Sequence, residues 1–237
     1  MKTNKNITAK RLEQGYYKKY QVDIDSGELS LPLLKKFTAA FESSMRRFPD
    51  CYVFRFRLKI PQTFNEDRAN KLLNDWFYSL AKQLPANMVK TKGKLALDEG
   101  PHTEAINMIW AKDITSNRTI IYHAALFFKA PKEPTELSLL KAQEFFKRKI
   151  VLTWAYALYL DESVAQSLCL FPTHNITPLP RSSKAYNEHL RYCFYILSTL
   201  ARKPRFHTEN LDEVLGIKFS RNMYKPRRKK NKAKNAW

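Results

Sequence analysis

Glycine and cysteine are both scarce in this 237-residue chain, which has five of the first and three of the second. No Gly-rich phosphate loop is present, nor a GxSxG or HExxH pattern, so an ATPase or hydrolase of those kinds has no support. Cys51, Cys169 and Cys193 are odd in number and widely spaced, which argues against a disulfide framework and a structural zinc site and predicts reduced, buried thiols. Acidic residues are also few. The 42 Lys and Arg against 22 Asp and Glu leave a formal charge of +20 and a pI near 9.9, which calls for a polyanionic partner. Nucleic acid fits better than an anionic membrane surface, because the basic residues are spread along the chain rather than lining one amphipathic helix. Long apolar runs are missing as well: the longest, Ile150 to Leu160, is too short to span a bilayer, and the Met-Lys-Thr-Asn-Lys start has no apolar signal core. A soluble, cytoplasmic protein is expected. With 44% hydrophobic and 13% aromatic residues, the chain can bury a sizeable core.

The first thirty residues are polar and Lys-rich, with Tyr16, Tyr17 and Tyr20 among the charges, and read as a basic arm, either a solvated tail or a DNA contact. Ser30 followed by Pro32 marks a helix start, and Leu33, Leu34, Phe37, Phe41 and Met45 carry the helix to about Phe48, before Pro49-Asp50 stops it. From Cys51 to Lys59 the chain alternates. Tyr52, Phe54, Phe56 and Leu58 share one face, and Val53, Arg55, Arg57 and Lys59 the other, as in a half-buried strand whose open face is basic. Thr63 with Glu66 fits a capping box for a second helix through Leu72, Leu73, Trp76, Phe77 and Leu80 to near Pro85. Residues 86–104, with Lys90, Lys92, Gly93, Lys94 and Gly100, form a basic loop.

The stretch from Ile106 to Phe128 organises the rest. Ile106 to Asp113 and Thr119 to Phe128 are rich in Ile, Tyr, Phe and Trp and flank the turn-forming Thr115-Ser116-Asn117, which predicts a β-hairpin. Thr119, Ile121, His123, Ala125 and Phe127 share one face of its second strand. His123 is the hairpin's lone imidazole, and a tight loop would let it and Asp113 face one site. Beyond Pro131 and Pro134 a helix is expected from about Glu136 to Leu160, with a break near Lys147 left open. Ser167 to Phe171 reads as a short strand, Pro172, Pro178 and Pro180 as a loop, and Ser182 or Ser183 as the cap of a last helix to about Arg202. A Gly216 to Ser220 segment follows, then a basic tail from Lys225 that is expected to be disordered.

The elements after the first helix read strand, helix, strand, strand, helix, strand. That is the ferredoxin-like β-α-β-β-α-β order of an α+β fold, one antiparallel sheet covered by two helices on one side, here with an added N-terminal and an added C-terminal helix. The expected organisation is a basic arm at 1–30, one domain at 31–222 with all five glycines outside its elements, and a disordered tail at 223–237. An open basic sheet of this order suits nucleic acid. An RNA-recognition sheet would need a basic residue, Gly and interleaved aromatics, and the hairpin has no glycine. The endonuclease sheet of rolling-circle initiators instead uses a His-hydrophobe-His triplet and a further polar ligand to hold a divalent cation, with a helical Tyr as nucleophile.

TIIYHAALFF after INMIWAKD, then YCFYILSTLARKPRFHT and GIKFSRN, resemble the YagK/YfjJ-like family of prophage proteins, which includes replication proteins of filamentous phages. In that family the hairpin reads roughly Trp-Ala-Arg-Glu and then His-Tyr-His, and a later helix reads Ser-Tyr-Leu-Ala-Lys ahead of a Gly-x-Ser-Arg-like segment. CYVFRFRLKIP is similar to the family's first strand, so the likeness covers about residues 50 to 222 and rests on the joint order of the motifs.

On this resemblance Trp110-Ala111-Lys112-Asp113 makes Asp113 a metal ligand, with Asp for Glu, and the triplet Ile121-Tyr122-His123 keeps one histidine of two. Thr199-Leu200-Ala201-Arg202 stands where the nucleophilic tyrosine belongs. Tyr195 and Tyr192, one and two turns earlier, are displaced nucleophiles or core tyrosines. Losing even a supporting ligand costs roughly 10- to 100-fold in metal affinity or activity, and losing the phenol removes the covalent step. The resemblance therefore implies a DNA-binding protein of a phage or mobile element in a bacterial host, built like an HUH rolling-circle initiator with an eroded nicking site. Host replication proteins would be its partners, and Mg²⁺ or Mn²⁺ its cofactor if it were active. Phosphate contacts are expected from Arg55, Arg57 and Lys59, from Lys90, Lys92 and Lys94, from Arg202, Lys203 and Arg205, and from Arg221, Arg227, Arg228, Lys229 and Lys230. His102, His174, His189 and His207 are scattered, and His174 or His189 could replace the missing ligand. Two alternatives stay open: a working endonuclease with a rearranged site, and an RNA-binding or protein-interaction module.

Overall fold

The computed structural model describes residues 12–86, 105–131, 133–206 and 210–220. In chain order the elements are β1 (Tyr16–Tyr17), β2 (Tyr20–Gln21), α1 (Leu31–Arg47), β3 (Cys51–Lys59), α2 (Glu66–Ala86), β4 (Ile106–Ile114) and β5 (Ile120–Lys129). They continue with α3 (Glu136–Leu158), α4 (Glu162–Leu168), β6 (Cys169–Leu170), β7 (Ile176–Leu179), α5 (Tyr186–Ser198), a 3₁₀ turn (Thr199–Ala201), α6 (Leu211–Val214) and β8 (Leu215–Phe219). It is a mixed fold of six α-helices and antiparallel sheets among the described residues. β1 and β2 form a hairpin of their own. In the main sheet β5 lies between β3 and β4, β8 pairs with the far edge of β4, and β6 and β7 share the far edge of β3.

Because side chains alternate along paired strands, register decides what each face carries. Phe54 sits opposite Leu126, and Phe56 opposite Ala124, which in turn faces Trp110. These apolar positions, with Tyr52, Leu58, Met108, Tyr122 and Phe128, pack under α2 and α3. The two helices lock together where Trp76 meets Trp154 edge to face at 5.6 Å and the Trp76 indole N–H donates to Thr153 Oγ1 at 2.9 Å. Removing one such buried ring costs about 3–5 kcal/mol.

The opposite face was expected to be open, and its apolar half is covered. Cys51, Val53, Ile109, Ala125 and Phe127 lie beneath α1, α5 and the β1–β2 hairpin, so the sheet is the middle of three layers. The apolar stripe of α1 includes Leu33, Leu34, Phe37 and Phe41, and it needs that half of the sheet to bury itself. Residues 12–30 likewise depart from the expected arm. Tyr17, Tyr20 and Val22 are buried in this second core, and Tyr20 stacks on Phe194 at 3.9 Å. The Lys-rich composition concealed an apolar set that reads only in three dimensions.

Other differences are local. α2 starts from Asn65, whose side chain accepts the Arg68 N–H, rather than from Thr63. α3 runs without a break at Lys147. Most of Ser167 to Phe171 is the end of α4 with the two-residue β6, and the proline-marked loop holds β7, where Pro178 pairs with Tyr52 at an edge that requires no N–H from it. α5 begins at Tyr186 with Ala185 at its N-cap, and Ser183 Oγ accepts the Ala185 N–H at 3.2 Å just ahead of it. Gly216 lies inside β8 rather than outside the elements.

That glycine is required. It pairs with Trp110, and a Cβ there would overlap the Trp110 indole. Gly216→Ala is therefore expected to destabilise the protein by about 1–3 kcal/mol through overpacking. In thermal unfolding each kcal/mol lowers the midpoint by roughly 2–4 °C for a domain of this size, and combining the change with Trp110→Phe should recover part of the loss.

Candidate nucleic-acid cleft

The layer formed by α1 and α5 covers the apolar half of its sheet face and stops short of the polar half. Arg57 pairs with His123, which pairs with Ala111, while Asp113 and Arg55 stand two residues away on β4 and β3. Same-parity pairing therefore turns Arg55, Arg57, His123 and Asp113 to one side. They form the floor of a cleft of about 510 Å³. One wall is the end of α5 and the 3₁₀ turn, with Tyr195, Ile196, Thr199 and Leu200; the other is the Asp23 to Glu28 segment; Arg202, Lys203 and Arg205 close the side. Sequence reasoning singled out His123, Asp113, Tyr195, Arg55, Arg57, Arg202, Lys203 and Arg205, and the fold brings all eight to this one cleft.

The other expected residues fall elsewhere. Tyr192 is half exposed on α5 and is not in the lining, although it lies close enough to Arg55 to act on its charge. Lys59 ends β3 outside the cleft, and neither His174 nor His189 reaches it, so among the described residues His123 is the one imidazole in the lining. His174 contributes its backbone carbonyl, which accepts from Arg55 Nη2. Lys90, Lys92, Lys94, His102, His207, Arg221, Arg227, Arg228, Lys229 and Lys230 lie outside the described residues.

The wall contributed by residues 23–28 was not foreseen. Asp23 accepts from the Ser26 N–H at 3.0 Å and the Ser26 hydroxyl at 2.5 Å, and its own N–H donates to Ser198 Oγ at 2.9 Å. The Asp-x-x-Ser-Gly pattern was the available signal for this turn, since Asp and Ser satisfy local backbone groups and Gly27 takes a φ of +140°. Strand-like pairing of Leu29 with Arg202, a bond from the Lys203 N–H to the Glu28 carbonyl at 2.9 Å and one from the Ser30 N–H to the Ala201 carbonyl at 2.9 Å fix the wall.

Charge is arranged unevenly. Arg202 meets Asp23 at 3.8 Å, Lys203 meets Glu28 at 3.4 Å and Arg205 meets Asp113 at 4.0 Å, so each cation of the 202–205 segment has a carboxylate neighbour. Lys112 points to the other face, where it pairs with Glu66 at 3.1 Å and lies over the Phe206 ring. Arg55 and Arg57 have no acidic partner among the described residues, and the Arg55 Nε is buried without a hydrogen bond. These two arginines carry the cleft's uncompensated charge.

Burial, with the Arg57 guanidinium next in importance, lowers the His123 pKa to about 4 against a pull upward from Asp113. The imidazole is therefore neutral near pH 7. The Asp23 carboxylate, then burial and Asp25, push the Tyr195 phenol up, the reverse of what activates a nucleophile. Partial burial works against it, but the Ser26 hydrogen bonds and Arg202 still hold the Asp23 carboxyl below its ordinary range. Asp113 and His123 supply two donors, and no group of three His, Cys, Asp or Glu able to hold a metal occurs among the described residues. All three cysteines are free and buried, and burial raises the Cys169 and Cys193 thiols to about 12.

A family model described as the YagK/YfjJ C-terminal domain matches residues 12–215. The chain belongs to the YagK/YfjJ C-terminal domain family. The match begins at residue 12 and so takes in the β1–β2 hairpin and the 23–28 wall, beyond the span from about residue 50 that the motifs alone had indicated. Neither the curated proteins nor the solved structures contain a match. No helix among the described residues is long and apolar enough to cross a membrane.

The His123 shift has a consequence for stability. Its folded pKa lies below the ordinary 6.5, so between those values the unfolded chain binds the proton and the folded one does not. Stability present above pH 6.5 should fall as the pH drops toward 4, and His123→Gln should flatten that part of the profile in thermal unfolding between pH 7 and pH 4. An NMR titration should show the His123 ring still neutral at pH 5.

Proposed function

We propose that this cleft binds a nucleic-acid strand, DNA above all, and that the protein is a DNA-binding factor of a phage or mobile element built like a rolling-circle replication initiator whose nicking site is eroded. The observation that carries this reading is the convergence of Arg55, Arg57, Arg202, Lys203 and Arg205 on one cleft in a chain of formal charge +20. Arg57 is exposed and Arg55, whose Nη2 donates to the His174 carbonyl, is partly so, and neither has a described carboxylate that a phosphate would need to displace. The cations of residues 202–205 are held in place by carboxylates that a phosphate can outcompete, since such partly exposed pairs are worth at most about 1 kcal/mol each. A neutral imidazole on the floor donates or accepts a hydrogen bond without adding repulsion.

The strand arrangement supports the initiator part of the reading. Counting from β3, the fourth, first, third and second strands lie side by side in the order β6/β7, β3, β5, β4, as they would in a sheet related to the ferredoxin-like one. Erosion is supported by the two-donor set and the raised Tyr195 phenol. A second reading, an active metal-dependent tyrosine endonuclease, draws on one observation: Tyr195, His123 and Asp113 line the same cleft. An RNA-binding or protein-interaction module remains the contrast from another class.

Fluorescence anisotropy against single-stranded DNA over a salt series tests the main reading. Log K should fall linearly with log salt, and Arg55→Gln with Arg57→Gln should reduce the slope by about 1 to 1.5 and weaken binding roughly 10-fold or more. A flat salt response, or a preference for structured RNA, would overturn the reading. Incubation of single-stranded DNA with the protein and Mn²⁺ or Mg²⁺ should give no covalent adduct; an adduct lost on Tyr195→Phe would instead establish the endonuclease.

A further inference from the structure

The β1–β2 hairpin carries a second cationic cluster that the cleft does not use. Tyr16 pairs with Gln21 and Tyr17 with Tyr20, which leaves Lys18 and Lys19 as the two-residue turn. Lys18 adopts a φ of +55°, a conformation that Asn or Gly takes with less strain than an ordinary residue. The tip is firmly mounted, because Tyr17 and Tyr20 are 3% and 5% exposed and Tyr20 stacks on Phe194 of α5. Lys19 and Tyr20 line a groove of about 330 Å³ with Glu42, Met45 and Arg46 of α1, Arg181, and Leu190 of α5. Lys18, Lys19, Arg46 and Arg181 are all exposed and none has an ion pair with a described residue, while Glu42 is the single acid in the lining. The cleft pairs three of its cations with carboxylates; the groove leaves its own unpaired.

We propose that this groove is a second contact zone for the phosphodiester backbone, holding the part of a nucleic-acid strand that runs out of the cleft. The inference rests on the cleft reading above. α5 and the 3₁₀ turn that continues it join the two zones: Leu190 lines the groove, whereas Tyr195 and Thr199 line the cleft. Those positions are roughly 8 to 14 Å apart along a helix rising about 1.5 Å per residue. One strand of B-DNA carries a phosphate about every 3.4 Å of axis, so the gap corresponds to about two to four nucleotides. The exposed Arg191 and Tyr192 lie between them in sequence on α5, a cation and an aromatic ring suited to a passing backbone and base. Two lysines on a strained, firmly mounted turn, with Arg46 and Arg181 beside them and Glu42 as the one acid in the lining, fit an extended polyanion better than a small ligand.

The test uses the full chain, single-stranded oligonucleotides of about 4 and about 16 nucleotides, and a salt series. The variant combines Lys18→Asn, which tolerates the positive φ, with Lys19→Gln, Arg46→Gln and Arg181→Gln. It should bind the short strand like the wild type. It should bind the long strand about 10- to 100-fold more weakly, with a salt slope smaller by up to roughly 3, the loss expected of four single-strand phosphate contacts. A charge-keeping variant with Lys18→Arg, Lys19→Arg, Arg46→Lys and Arg181→Lys should keep the wild-type slope, and matched unfolding midpoints would show that all variants are folded. If the neutral variant binds the long strand with wild-type affinity and slope, the second zone is wrong and the cleft reading stands. If the wild type binds neither strand, both fall.

Discussion

The cleft depends on the register between β3, β5 and β4. Sliding either outer strand by one residue would exchange the two faces, sending Arg55 and Arg57, or Asp113, into the aromatic core under α2 and α3. Burying an unpaired charge there would cost several kcal/mol, while the native pairing keeps Phe54, Phe56, Trp110, Tyr122 and Phe128 dry. The apolar demand of one face thus enforces the polar composition of the other, and the charged groups are positioned by a core they never touch.

The second requirement is that only half of that other face be covered. Where the strands present Cys51, Val53, Ile109, Ala125 and Phe127, α1 and α5 close over them. Where they present arginine, histidine and aspartate, the helical layer gives way to the 3₁₀ turn and the 202–205 segment, whose polar side chains border the cleft. Arg47 secures the far end of this layer, donating to Asn107 Oδ1 at 2.7 Å and to the Ser220 carbonyl at 2.6 Å, so that α1, β4 and the end of β8 are held together. The boundary between the covered and uncovered halves coincides with the change in side-chain chemistry along β3, from Val53 to Arg55.

That change was legible in the sequence, because a strand's two-residue period is visible in CYVFRFRLK without further context, and β3 spans those nine residues. The hairpin and the long helices were legible for the same reason, since their apolar spacing is regular. What covers the basic face was not. Tyr17, Tyr20 and Val22 are spread among lysines and glutamine, and the stacking partner of Tyr20, Phe194, is far away in the chain. β7 was hidden by prolines that mark loops in general and are harmless at an edge. In the cleft, the residues read from motif positions were brought together, while the acidic wall, whose role comes from a β-bridge between residues 29 and 202, had no local signature beyond a turn.

The two margins of the main sheet are unlike its centre. β8 is five residues long, and on the opposite side the margin is divided between the two-residue β6 and a β7 interrupted by Pro178. Among the described residues, neither margin presents a long, uninterrupted row of free amides for another strand to zip onto. In a chain this rich in β-forming aromatics, short and interrupted margins of that kind offer little template for edge-to-edge growth of the sheet.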